Sequence, residues 1–268
     1  MTSPTRSVDI VKFSSAGRTT VRDRAAAEEP LEVRVGGTPF AVIMRTPGAD
    51  RELAAGFLLA ERLVRTADDI VAIEHCADAV ERENTVAVTL RDPEMAARAR
   101  RQRRDLASAA SCGVCGRQSI DDLACDLPRI ADEIVVRASI VAALPDRLRA
   151  SQRAFDETGG LHAAGVFSLD GDLLDLAEDV GRHNAVDKVT GRALLHRHLP
   201  LAHAIVCVSG RTSFEIVQKA AVAGVPILAA VSAPSSLAID LAARVGVTLV
   251  GFIRGGTFNV YAGARRIA

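Results

Sequence analysis

The stretch Cys112-Gly113-Val114-Cys115-Gly116 puts two of the chain's five cysteines two residues apart in a glycine-lined segment. That spacing serves three chemistries: half of a zinc site, a redox dithiol, or a thiol pair that carries a transferable group. A tetrahedral zinc site needs four protein ligands, or three and a water. Cys76, Cys125 and Cys207 form no second pair, so a structural zinc would need ligands from a second chain. That reading stays open, and no metal ligand is assigned. Zinc deaminases place a glutamate just after a histidine, with the cysteine pair later in the chain. Here His162-Ala163-Ala164 lacks the glutamate and the cysteine pair comes earlier, which argues against deaminase chemistry. A thioredoxin-like dithiol sits where an early strand opens a helix. This pair lies mid-chain, with a glycine after each cysteine, and reads as a mobile loop. The thiolate is the reactive form of such a cysteine. Arg98, Arg100, Arg101, Arg103 and Arg104, just upstream, are either a solvated helix face or connector, or a positive surface that favours the thiolate.

Further polar groups gather where apolar runs end. Ser209-Gly210-Arg211 follows one such run, and backbone N–H groups at a helix start beside an arginine suit an anion. Thr212 and Glu215 also fit a capping box, which needs no ligand. Ser232, Ser235 and Ser236 follow the next run, and Arg254-Gly255-Gly256 the last. A glycine pair lets backbone approach a ligand closely, and is equally an ordinary turn. Three such loops at one sheet edge point to a nucleotide-sized, phosphate-bearing ligand. Glu178, Asp179, Arg182, His183, Asn184, Asp187 and Lys188 crowd one further junction. His162 and His183 are candidates there for proton transfer, against the ordinary role of a satisfied structural histidine.

The elements that hold these residues follow from the pattern. The chain has 268 residues, 49% hydrophobic, with no tryptophan and one tyrosine, so the core is aliphatic. Lys plus Arg and Asp plus Glu both total 33, and this balance gives no sign of a nucleic-acid or membrane partner. The amino terminus lacks an apolar signal region, and the most apolar stretch is broken by Gly224, Pro226 and Pro234. The expected location is the cytoplasm, where a close cysteine pair is more often reactive or metal-binding than a structural disulfide. Cys207, inside an apolar run, is expected to act as a small buried hydrophobe.

Residues 1 to about 24 read as frayed or extended. Residues 31–48 alternate as a hairpin about Gly36-Gly37. Residues 49–64 read as a helix that Asp50 can cap, with Leu53, Phe57, Leu58 and Val64 as its apolar stripe. Two strands follow in 69–76 and 84–92. Residues 163–179 form a hairpin about Asp170-Gly171. Helices over 183–199, 213–224 and 235–246 then alternate with strands over 202–210, 225–233 and 247–256, before a last strand in 258–263. Gly224 and Gly246 end two of the helices. This alternation predicts an α/β layer with a mixed, largely parallel sheet, whose ligands gather at the carboxyl ends of the strands. The expected division is a small α+β unit in 1–105, a cysteine loop and linker in 106–133, and the α/β domain in 134–268.

The motifs SCGVCG, TGGLHAAG, EDVGRHNAVDKVTG, VSGRTSFEIVQKAAVAGVPILAAVSAPSSLAIDLA and GFIRGG with FNVY occur in one order. Together they closely resemble the FdhD family of formate dehydrogenase accessory sulfurtransferases, from Phe40 onward. The resemblance implies a three-layer, cytidine-deaminase-like fold. It also implies a sulfur carrier that takes persulfide sulfur from a cysteine desulfurase. The recipient would be the molybdenum bis(molybdopterin guanine dinucleotide) cofactor of formate dehydrogenase. By the same resemblance Cys112 bears the persulfide and Cys115 assists. The cofactor lies near Phe252, Ile253, Arg254, Gly255, Gly256 and Thr257, a guanine nucleotide can mimic it, and the protein is a homodimer. The loop at Ser209, Gly210 and Arg211 is the second expected phosphate contact. The alternatives from the residues alone are a non-catalytic cofactor-binding chaperone and a zinc-stabilised interaction module.

Overall fold

The computed structural model describes residues 3–76, 82–106, 127–131 and 133–268. Cys112, Cys115 and Cys125 lie outside the described residues, as do the side chains of Arg100, Arg101, Arg103 and Arg104. Arg98 is exposed on helix α2 (Pro93–Leu106).

The chain opens with a hairpin of β1 (Thr5–Ser14) and β2 (Gly17–Ala26). Of the two readings of the start, frayed or extended, the extended one holds, but the pairing of the two strands was not anticipated. Most of both strands is exposed, so polar residues occupy both faces and no buried alternation marks them. The hairpin is tied to helix α4 (Arg153–Thr158) by an Arg24–Glu157 ion pair at 2.9 Å.

A four-stranded sheet follows, built from β3 (Glu29–Val35), β4 (Thr38–Arg45), β5 (Ile70–His75) and β6 (Thr85–Leu90) in the order β4-β3-β6-β5. Helix α1 (Asp50–Ala60) buries Leu53 and Leu58 against it. Asp50 does not cap this helix. The cap position is Ala49, in the left-handed region, and Asp50 is the first helical residue. Its carboxylate instead accepts from Arg45 Nε at 2.9 Å and Nη2 at 3.0 Å, with both residues buried. A buried guanidinium demands such a partner more strongly than a helix end does.

The larger sheet contains β7 (His162–Ser168), β8 (Leu173–Asp179), β9 (Ala204–Val208), β10 (Ile227–Ala230), β11 (Thr248–Arg254) and β12 (Thr257–Ala262). Its order is β12-β11-β10-β9-β7-β8, with β9, β10 and β11 parallel at the centre and antiparallel pairs on either side. Every residue of β9 and β10 is buried, as expected for parallel strands covered on both faces. One face packs on α5 (Arg182–Leu195), α6 (Phe214–Val222) and α7 (Ser236–Val245). The other packs on α3 (Ala138–Arg149) through Ile140, Val141, Leu144 and Leu148. The three-layer α/β expectation therefore holds. Helices α3 and α4 were not anticipated, because Pro145 inside α3 disguises its helical pattern.

The two sheets meet through α1 and α5. At the crossing, a Cβ on Gly56 would overlap the backbone of Asp187, and one on Gly191 would overlap the backbone of Glu52. Hydrogen in place of a side chain lets the two helices pack backbone to backbone. Among the described residues no helix is long and apolar enough to cross a membrane.

Candidate functional site

Strand β7 runs antiparallel to β9, so its start lies beside the end of β9. His162 therefore joins Ser209, Val231 and Arg254 at the carboxyl ends of the parallel strands. These residues line a cleft of about 630 Å³ that α3 and α4 close from the other side, with Arg149, Gln152, Phe155 and the Gly159-Gly160 turn. That volume is in the range of a nucleotide-sized ligand.

Of the residues expected to bind cofactor, Ser209, Ile253, Arg254 and Gly255 line the cleft. Ser209 is fixed by two bonds to Ala163: its Oγ accepts from the Ala163 N–H at 2.9 Å, and its own N–H donates to the Ala163 carbonyl at 3.0 Å. Gly210 comes next, against the imidazole of His162. Arg211 is exposed beyond it. The side chain of Ile253 belongs to the core. Gly255 and Gly256 both have positive φ and form the two-residue turn between β11 and β12, so the turn reading is correct and Gly255 also faces the cleft. The Thr257 hydroxyl donates to the Arg254 carbonyl at 3.0 Å within that turn.

Sequence reasoning missed the backbone at Phe252. It sits at φ 54, a left-handed conformation rare for a bulky residue, inside a register shift of β11 against β12. Holding it there costs about 1–3 kcal/mol. Its N–H donates to the Ser232 carbonyl at 3.2 Å, and its ring lies 5.8 Å from the Arg254 guanidinium. No residue type in the sequence signals this.

The capping box of Thr212 and Glu215 does not form. Ser213 occupies the α6 cap position without a side-chain cap bond, and Thr212 Oγ1 is buried without a partner among the described residues. Glu215 turns to Lys219, at 3.3 Å, and to His183, at 3.5 Å. Lys219 also donates to both Asp187 oxygens, at 2.8 and 2.9 Å. Burial opposes the Lys219 ammonium, but Asp187 and Glu215 outweigh it and hold it protonated. Burial first, then Lys219 and Arg182, lowers the His183 pKa to about 4 despite Glu215. His183 is thus a neutral imidazole, with Nε2 3.1 Å from Ser213 Oγ.

The polar crowd at 178–188 is largely consumed by structure. Glu178 accepts from the N–H groups of Ala154 and Phe155 at 2.9 and 2.8 Å, capping α4. Asp179 accepts from the N–H of Thr46 at 3.1 Å and of Gly181 at 2.8 Å, from Asn184 at 2.9 Å, and from Lys188 at 2.7 Å. Cys207 is buried and its thiol is pushed up to about 12 by burial, so it behaves as an inert hydrophobe. Among the described residues no three His, Cys, Asp or Glu side chains gather as metal ligands.

Comparison with known proteins adds to this geometry. Residues 26–268 match the model of the FdhD/NarQ family. A Streptomyces coelicolor protein named sulfur carrier protein FdhD is 51% identical over 270 residues, covering 97% of this chain and 94% of that one. A protein of the same name from Anaeromyxobacter is 48% identical, covering 92% and 90%. A crystal structure of a protein from Desulfotalea psychrophila, described as a formate dehydrogenase accessory protein, superposes with a TM-score of 0.79 at 25% identity. It covers 99% of this chain and 100% of that one.

Proposed function

The chain belongs to the FdhD/NarQ family, and on that premise we propose that it is a sulfur carrier. It accepts persulfide sulfur from a cysteine desulfurase. It passes that sulfur to the molybdenum bis(molybdopterin guanine dinucleotide) cofactor on which formate dehydrogenase depends. The observation that carries this reading is the near-full-length likeness to proteins named sulfur carriers, in a chain that has Cys112 and Cys115. The Cys112 thiolate attacks the outer sulfur of the desulfurase persulfide. A new S–S bond forms on Cys112 and the desulfurase thiolate leaves. For delivery, the Cys115 thiolate attacks the inner sulfur of the Cys112 persulfide. This closes a Cys112–Cys115 disulfide and expels hydrosulfide toward the recipient, and an external thiol then reduces the disulfide.

The cleft suits one nucleotide arm of the recipient. Arg254 and the Gly255 backbone offer donors to phosphate at its wall, and Ser209 lines the same cleft. Family resemblance supports action in the cytoplasm, as a homodimer. The test is intact mass spectrometry without reductant, after incubation with a cysteine desulfurase and cysteine. The expected result is a gain of one sulfur atom, removed by reductant and absent in Cys112→Ala. No gain beside an active desulfurase sinks the carrier reading and leaves a cofactor-binding chaperone or a zinc-stabilised module. Guanosine diphosphate serves as the cofactor mimic, and Arg254→Gln should weaken its binding roughly tenfold, the effect of losing one charge-assisted hydrogen bond.

A further inference from the structure

The α3–α4 wall of the cleft carries polar groups that the phosphate contacts leave unused. Gln152 lines the cleft at 3% exposure. It stands at the cap position of α4 and makes no side-chain cap bond there. Glu178 takes that role, accepting from the N–H groups of Ala154 and Phe155. Among the described residues the Gln152 amide has no hydrogen-bond partner, and the sealed atoms without partners belong to Arg182 and Thr212 alone. The small surface that Gln152 keeps therefore includes its amide, which opens on the cleft. A buried carboxamide is nearly always paired, and this one presents donors and an acceptor side by side. On α3, Ala142, Asp146 and Arg149 recur at helical spacing and all line the cleft. The Asp146 carboxylate is exposed and makes no ion pair or hydrogen bond among the described residues. Arg149 is paired with Asp156 at 2.6 Å, and its guanidinium lies 4.7 Å from the centre of the Phe155 ring.

We propose that this wall reads the edge of a flat heterocycle, the amino-oxo-pyrimidine edge that guanine and pterins share, with Gln152 and Asp146 as the specificity-determining residues. Such an edge presents neighbouring N–H donors beside a carbonyl acceptor. A carboxylate accepts from the donors, and an amide N–H donates to the carbonyl. Adenine has a ring-nitrogen acceptor where guanine has its ring N–H, and a carboxylate repels it. Arg149 and Phe155 give the ring flat neighbours, and stacking of this kind adds affinity without choosing the base. Asp146 also disfavours phosphate, which orients a nucleotide: its ring lies on α3 and α4, its phosphates at Arg254 and the Gly255 turn. That the ring belongs to the molybdenum cofactor rests on the sulfur-carrier reading; that the wall reads a donor–acceptor edge does not.

The test is isothermal titration calorimetry on the full chain with guanosine, inosine and adenosine diphosphates. Inosine lacks the amino group, and adenosine lacks the whole edge. Guanosine diphosphate should bind roughly tenfold tighter than inosine diphosphate, the effect of one hydrogen bond to a charged group, and adenosine diphosphate should bind more weakly still. Asp146→Asn should weaken guanosine diphosphate roughly tenfold and narrow its lead over inosine diphosphate. Gln152→Leu, of similar size, should weaken both by about fivefold, because both carry the carbonyl. A merely structural loss would lower all three nucleotides by one factor, whereas here their ratios change. Absent or equal binding of the three by the wild type, or unchanged ratios in Asp146→Asn, overturns the assignment. Asp146 is exposed, so that variant stays folded even where Gln152→Leu does not. Guanosine and free pterin, neither with a phosphate, then compete against guanosine diphosphate to separate the two sources of the edge. Displacement by both assigns the wall to the shared edge, displacement by one alone assigns it to that ring, and displacement by neither overturns it. Sulfur loading of Cys112 is read separately by mass, so failure of the ring assignment is distinguishable from failure of the carrier reading.

Discussion

Helix α5 carries polar groups on two sides, and they differ in kind. Toward β4 and β8, Asp179, Lys188, Asn184 and the Thr46 backbone satisfy one another at 2.7 to 3.1 Å. Toward β7 and α6, among the described residues, Arg182 Nε and Thr212 Oγ1 are buried with no partner and His162 makes no hydrogen bond. Buried polar groups in proteins are nearly always paired. The first side therefore braces the packing of the two sheets, while the second has capacity left for something else. Density of polar residues marks both sides equally; unused hydrogen-bond capacity marks only one.

The largest effect should come from breaking the braced side. Asp179→Ala leaves the Lys188 ammonium buried without its carboxylate and should cost about 3–5 kcal/mol in urea unfolding. A loss under 1 kcal/mol would remove the distinction between the two sides. Next is acid. The His183 pKa is about 4 in the fold against 6.5 when free, so the unfolded chain takes up the proton first. The stability that this neutral histidine contributes is complete above about pH 6.5 and is lost as pH falls toward 4. The loss is on the order of 3 kcal/mol, and His183→Gln should flatten that part of the pH–stability curve. Gly56→Ala should cost about 1–3 kcal/mol by forcing α1 off α5, although alanine in an open helix would stabilise. Smallest is Thr212→Val, expected within about 0.5 kcal/mol of wild type, because the hydroxyl it removes has no partner to lose. A clear destabilisation by Thr212→Val would show that the hydroxyl is satisfied in solution.

Most of the larger sheet was legible because its strands are short apolar runs stopped by glycine, and its helices end at Gly224 and Gly246. The cleft edge was legible for the same reason: Ser209 and Arg254 each follow such a run. The amino-terminal hairpin was not, because an element with both faces in water needs no apolar alternation. Asp50 reads as a cap only until Arg45 is seen to be buried beside it. The left-handed Phe252 and the orphaned Arg182 Nε are properties of packing, and no local residue pattern encodes them.

The α1–α5 crossing also bears on how the protein comes apart. Gly56 and Gly191 lie far apart in sequence yet bring two backbones into contact, and Leu194 of α5 belongs to the core under the smaller sheet. Neither layer can open locally without exposing that seam. Amide protons on the facing turns of α1 and α5 should accordingly exchange with solvent together, at the rate of global unfolding, as one cooperative unit. Contacts of such long range are also slow to find, which makes this seam a late event in folding.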